Sequence, residues 1–155
     1  MKVSVHNLVG SAQVPVDERE QTIVELCERS VQRLAAAMPG IEVGCLFRFG
    51  DVLRHLAHAG TMRLIYEVPR EQGGVVWRAA DEARIQLVKD VRADPDYLPS
   101  DDRISSEIAA PVIVGGALVG IIDVEFPGRV FDQDAVESIE SEARRLADEL
   151  APYVT

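Results

Sequence analysis

The chain has 155 residues, with 16 Lys+Arg against 26 Asp+Glu and a formal net charge of −10. Its 47% apolar and 27% charged residues exclude a disordered chain, and the length matches one domain with a real core. The acidic balance excludes a broad nucleic-acid surface, the 2 Cys exclude a disulfide scaffold, and no apolar run is long enough to span a membrane.

Residues 1–16 show no period and read as an N-terminal arm; residues 17–155 read as a single domain. The opening residues Met1 to His6 lack an apolar signal core, so a cytoplasmic protein is expected, with no membrane or nucleic-acid partner. From Asp17 the pattern is helical. Ile23, Cys27, Val31, Leu34 and Met38 recur every three or four residues and so share one face. Asp17 and Glu20 resemble a capping box, and Pro39-Gly40 stops the helix.

A hairpin is predicted next. Ile41, Val43, Cys45, Phe47 and Phe49 alternate with Glu42, Gly44, Leu46 and Arg48, Gly50-Asp51 turns the chain, and Val52 to Ala59 returns. Residues 60–80 are less regular. Val75 to Ala83 reads as a short helix and Ile85 to Val91 as a short strand. The stretch from Arg92 to Arg103, rich in Asp, Pro and Ser, is a surface loop.

Ile104 to Val114 and Ala117 to Phe126 form the clearest hairpin, joined at Gly115-Gly116. The last helix starts at an Asp132 N-cap, with Phe131 and Val136 spaced as a hydrophobic staple. Its apolar stripe is Val136, Ile139, Ala143, Leu146, Ala147 and Leu150. The order helix, hairpin, irregular cover, hairpin, helix makes an α+β fold. Its central antiparallel sheet carries two helices on one face. The acids on the helices, Glu142 and Glu149 included, read as solvated surface.

Strand alternation singles out three carboxylates. If Ile108, Ala110, Val112, Leu118, Ile122, Val124 and Phe126 pack on the helices, then Glu107, Asp123 and Glu125 face the other way. The same opposite face carries Ile113, Val119 and Ile121. One reading is a wet sheet face. The other is a pocket, mixed apolar and acidic, covered by the irregular segment. Converging carboxylates repel unless a cation, a proton or donor groups are present, so an amine-bearing ligand fits.

An ordered set of motifs carries a family resemblance. It comprises Gly74 to Ala80, Gln86 to Val91, Asp94-Pro95-Asp96-Tyr97, Ser106-Glu107-Ile108-Ala109-Ala110-Pro111, Gly120-Ile121-Ile122-Asp123-Val124-Glu125 and Phe131-Asp132. Together they resemble a GAF domain over about residues 20–151. The resemblance implies a small-ligand pocket on the sheet face away from the helices. It also implies a sensory or regulatory role and a homodimer formed through the terminal helices, which in relatives signal to an attached output domain; here the signal passes to a separate output protein, or the chain is a fragment or a stand-alone form. Among GAF relatives the free methionine-(R)-sulfoxide reductases place acids at the positions of Glu107, Asp123 and Glu125. Their thiols, however, fall where this chain has Val76 and Ser100.

Other candidates have two readings each. Trp77 is a core plug or a pocket wall. Tyr97 anchors its loop or swings over a ligand. Tyr66 and Phe47 are core residues or pocket residues. His55 and His58, three apart on a strand, face opposite sides and cannot clamp one metal; they read as surface or sheet residues. Cys27 reads as a small core hydrophobe. No cofactor, metal or catalytic residue is predicted. The expected function is a GAF domain that binds a small polar or amine-bearing molecule. The alternatives are a divergent sulfoxide reductase and a dimerisation module without ligand.

Overall fold

The computed structural model describes residues 18–62, 65–99 and 101–154. The expected arm, the Asp17 cap and Ser100 lie outside the described residues. Helix α1 (Glu18–Ala37) leads into a six-stranded sheet and helix α3 (Gln133–Leu150) follows it. The strands are β1 (Glu42–Phe49), β2 (Val52–Ala59), β3 (Glu67–Pro69), β4 (Gln86–Val88), β5 (Ile104–Val114) and β6 (Ala117–Pro127), with the short helix α2 (Val75–Glu82) between β3 and β4. Their order in the sheet is β3-β2-β1-β6-β5-β4, and every neighbouring pair is antiparallel. The central pairing of β1 with β6 joins the two hairpins into one surface.

Local chemistry sets the element ends. The Asp132 carboxylate accepts a hydrogen bond from the Ala135 N–H at 2.9 Å, filling one orphan donor at the start of α3. Gly115 and Gly116 have φ of +58° and +81°, the pair of positive values that a two-residue turn between twisted strands requires. The strand expected from Ile85 shortens to β4, and Val91–Ala93 forms a 3-10 turn. The three-residue β3, which has no alternation to betray it, was not expected from the sequence.

The sheet separates two apolar clusters. One lies under α1 and α3 and includes Cys27, Leu34, Ile108, Ile122, Phe126, Ile139 and Leu146. The other lies on the opposite face under α2 and includes Leu46, Leu53, Val68, Trp77, Ala109 and Ile121. The helices therefore cover one face, as the stripes predict. Two surface assignments change. Glu142 is buried and takes a bidentate pair of hydrogen bonds from Arg33 at 2.8 and 2.7 Å; Glu149 accepts a third at 3.0 Å. Arg33 thus ties α1 to α3, with planar geometry suited to carboxylates.

Of three register shifts among the described residues of the sheet, one at Ile104/Ser106 opens β5, and the other two reset the predicted faces. On β2, Cys45 pairs with Ala57 but Leu46 pairs with His55, so Leu56 is an extra residue. Leu56 and Ala57 both pack on the helix side, and His55 and His58 come to the same, opposite face. On β6, Val112 pairs with Gly120 but Ile113 pairs with Leu118, leaving Val119 extra. Val119 therefore packs toward the helices and Leu118 toward the other cluster, the reverse of simple alternation. Ile121 keeps its predicted face, and Ile113 is exposed.

Candidate functional site

A cavity of about 70 Å³ opens on the face away from α1 and α3. That space holds several waters or a ligand of few heavy atoms, well below a drug-sized pocket. Register builds its floor. Across β1, β6 and β5, Glu42 pairs with Glu125 and Glu125 with Glu107. One row along, Gly44 lies between His58 on β2 and Asp123 on β6, and Asp123 pairs with Ala109. Directly opposed side chains on one face are near neighbours, so this register gathers four carboxylates with small residues beside Asp123.

The acidic end is strongly desolvated. Glu107 is buried, and burial first, then the nearby Asp123, push its carboxyl well above the usual range. Burial also raises Asp123, while its hydrogen bond with Glu107 works in the other direction. The hydrogen bond between the two carboxyls favours the proton on Glu107 and the charge on Asp123. Asp123 keeps some exposure as a residue, yet its Oδ1 is sealed and lacks a partner among the described residues. Glu125 accepts a hydrogen bond from the Tyr97 hydroxyl at 3.1 Å.

The other end carries Glu42, His55 and His58. Glu42 is held by the N–H groups of Thr61 (3.1 Å) and Met62 (2.8 Å), and His58 Nε2 stands 3.6 Å from its Oε1. Gly60, at φ +143°, leaves room for that carboxylate, which any side chain there would strike. Both histidines are more than nine-tenths buried, and among the described residues neither Nδ1 has a hydrogen-bond partner. Burial, with the neighbouring His58, pushes His55 down to about 4, so its ring is neutral at pH 7. Burial lowers His58 as well, against the pull of Glu42. Among the described residues no cluster of three His, Cys, Asp or Glu side chains is placed to hold a metal ion.

The loop after β4 reaches this cavity. Arg78 on α2 grips it, donating to Asp94 at 3.0 and 2.8 Å and to Asp96 at 2.9 Å, with Gln86 at 2.8 Å. Leu98 of the loop lines the cavity and lies over Gly74, where a Cβ would sit 2.8 Å from Leu98 Cδ1. The positive φ of Gly74 (+97°) and this close approach both require glycine.

The family model described as a GAF domain matches residues 20–151. The chain belongs to the GAF domain family. Protein YtsP of Bacillus subtilis (strain 168) is 33% identical over 54 residues, a match spanning 35% of this chain and 33% of that protein's length. Among solved structures, the type II free methionine-R-sulfoxide reductase from Thermoplasma acidophilum superposes with a TM-score of 0.77 at 23% identity. It covers 88% of this chain and 97% of that one. The GAF domain of a phosphoenolpyruvate-protein phosphotransferase from Coxiella burnetii gives 0.72 at 17% identity, covering 84% and 83%. At these identities the superpositions establish the shared GAF fold.

Against this GAF frame the predicted site residues divide. Glu107, Asp123 and Glu125 meet at the cavity. Tyr97 joins them through its hydroxyl. Trp77 is a core plug: it is 2% exposed, its Nε1–H donates to the Val68 carbonyl at 2.7 Å, and Arg70 stacks 4.3 Å from its ring. Its neighbours Val75 and Val76 line the cavity. Tyr66 is 45% exposed and contributes only a backbone carbonyl, which accepts from the His55 N–H. Phe47 lies on the helix side with Val43 and Cys45, because β1 alternates regularly along β6. Both Tyr66 and Phe47 are therefore corrected as pocket residues. His55 and His58 are corrected too, since the β2 bulge brings them to one face.

The thiols stand elsewhere. Cys27 and Cys45 are buried in the helix-side core, on the far side of the sheet from the acids. A hydrogen bond with Cys45, then burial, pushes the Cys27 thiol up, away from the nucleophilic thiolate. Glu42, Gly44, His55 and His58 were missed as site residues. The alternation of Glu42 and Gly44 with Val43 and Cys45 was the available signal for the first two.

Proposed function

We propose that this GAF domain is a regulatory module that binds a small amine-bearing molecule in the cavity between β1, β6 and α2. The observation that carries this reading is the buried Glu107 carboxyl beside Asp123, whose Oδ1 is sealed and lacks a partner among the described residues. An ammonium group supplies both the positive charge and the donors that such a pair lacks. The loop bearing Tyr97 and Leu98 serves as the cover, and its release or closure passes binding to the rest of the chain. A thiol-dependent reductase is not favoured: Val76 takes one thiol position, and both cysteines stand behind the sheet.

Pairing of two copies belongs to the same proposal. The outward positions of α1 and α3 include Glu25, Arg29, Gln32, Glu137, Ser141, Arg144 and Arg145, all exposed. A helix-mediated dimer would rest on charge and hydrogen bonds, and would weaken at high salt.

The test is a thermal-shift series with propylamine, ethanolamine and free amino acids, on wild type and Glu107→Gln. A binding amine at 100 times its Kd adds about 2.7 kcal/mol to wild type and much less to the variant. If no amine stabilises wild type, or if both proteins respond alike, the proposal fails.

A further inference from the structure

At the end of the cavity away from Glu107, the chain fills a carboxylate cradle with its own side chain. The Thr61 N–H donates to Oε2 of Glu42 at 3.1 Å and the Met62 N–H to Oε1 at 2.8 Å, so each carboxylate oxygen takes one donor. His58 Nε2 stands 3.6 Å from the same Oε1. Gly60 closes the back: any side chain there would strike both oxygens, and its φ of +143° suits glycine. Successive backbone N–H groups form a concavity of the kind that holds small anions. Glu42 enters it from β1 and is buried, and Glu42, His58 and Met62 all line the cavity.

The rest of the lining offers an anion no second place. Among the described residues it includes Glu42, Glu107, Asp123 and Glu125 and no Lys or Arg. Burial holds both imidazoles below their usual value, so neither is a cation at pH 7. Much of the remaining wall is apolar, with Leu46, Val68, Val76 and Leu98. Glu42 pairs with Glu125 and Glu125 with Glu107, so the backbones of the two ends stand two strand spacings apart, about 10 Å. An amino acid drawn in by its ammonium group would carry its own carboxylate toward like charges.

We propose that Glu42 sets the ligand class: by occupying the cradle it closes the pocket to amino acids and leaves it to short amines with an apolar tail and no carboxylate. This rests on the amine reading above and narrows it. The ammonium group sits at Glu107 and Asp123, the tail lies against the apolar wall, and Glu42 stays in place. A carboxylate-bearing amine has to displace Glu42 from its two N–H donors or bury its own charge unpaired. The pocket thus discriminates by a filled slot as well as by repulsion.

The experiment is a calorimetric titration of the full chain with propylamine and β-alanine, on wild type, Glu42→Gln and Glu42→Ala. The two probes match in length, with a carboxylate in place of a methyl group. Wild type is expected to bind propylamine at least about tenfold more tightly than β-alanine. Glu42→Gln keeps an acceptor in the cradle and retains part of that preference. Glu42→Ala empties the cradle and brings the ratio to unity or below, and sodium acetate raises its melting temperature but not that of wild type. Should Glu42→Ala not fold, the amide resonances of Thr61 and Met62 in wild type decide: they stay in place in excess β-alanine, and their displacement overturns the inference. Equal binding of the two probes to wild type, or a preference undiminished in Glu42→Ala, also overturns it and leaves the amine pocket standing. If neither probe binds wild type, both readings fall.

Discussion

The ring of His55 covers Gly44 so closely that the glycine is a structural requirement of the pocket floor: a Cβ at position 44 would sit 2.5 Å from His55 Nε2. Gly44→Ala must drive the imidazole out of its place, and the buried ring has only the cavity to enter. Overpacking of this kind costs about 1–3 kcal/mol. Urea denaturation should show that loss, and amine titration should show weakened or absent binding. Unchanged stability with unchanged binding would mean that the floor is not packed as described.

Glu107 should give the chain an unusual alkaline sensitivity. Its folded value lies above the ordinary carboxylate range, mainly through burial, and Asp123 moves in the same direction. A raised folded value means that the folded state holds the proton longer than the unfolded one. The contribution to stability is complete below the unfolded carboxylate value and is lost as pH rises through the folded one. The slope is at most about 1.4 kcal/mol per pH unit for each proton. His55 works on the other side. Its folded value of about 4 lies below the usual 6.5, so its contribution is present above 6.5 and is lost as pH falls toward 4. Wild-type stability should therefore fall on both limbs, and Glu107→Gln should flatten the alkaline limb alone. Urea midpoints from pH 4 to 9 check this. An alkaline limb as steep in the variant as in wild type would remove Glu107 from the account.

The fold and the acid cluster could be read from the sequence because the residues responsible follow simple periods. Between Ser106 and Val112, β5 and β6 pair without interruption, so alternation placed Glu107, Asp123 and Glu125 correctly on one face. The histidine end could not be read in the same way. One extra residue, Leu56, shifts the phase of β2, and nothing in the composition of Val52 to Ala59 announces a bulge. Val119 does the same near the turn of the last hairpin. Phe47 shows that the side on which a residue points follows from strand register and not from its type. The partners of Glu42 are backbone N–H groups at Thr61 and Met62, and these become visible only once the chain has folded around them.

Arg78 is expected to govern the loop over the cavity. Its guanidinium holds Asp94 through two hydrogen bonds and Asp96 through a third, with Asp94 mostly buried beside it. These contacts lift Arg78 further above its usual value and hold the Asp94 carboxyl below its own. Arg78→Ala leaves Asp94 without its cation and should cost about 1–3 kcal/mol. Arg78→Lys should not restore the wild-type state, since an ammonium cannot supply the planar fork. Hydrogen exchange at residues 90–99 should rise in both variants, and bound amine should dissociate faster. Native protection of that loop in Arg78→Ala would show that other contacts hold it.

The cysteines provide a direct separation of the binding and reductase readings. Cys27 and Cys45 are 0% and 2% exposed and lie against each other behind the sheet. A sulfoxide reductase needs a thiolate that can reach the substrate sulfur, and thiols buried behind the sheet cannot reach it. Cys45→Ala should therefore leave amine binding unchanged while lowering stability through the small void it opens. Both thiols should react with an aromatic disulfide reagent only at the rate at which the protein unfolds, and denaturant should bring the reaction to completion. Turnover of free methionine sulfoxide with a dithiol reductant, abolished by Cys45→Ser, would instead require that thiol to reach the opposite face, and would overturn this placement of the chemistry.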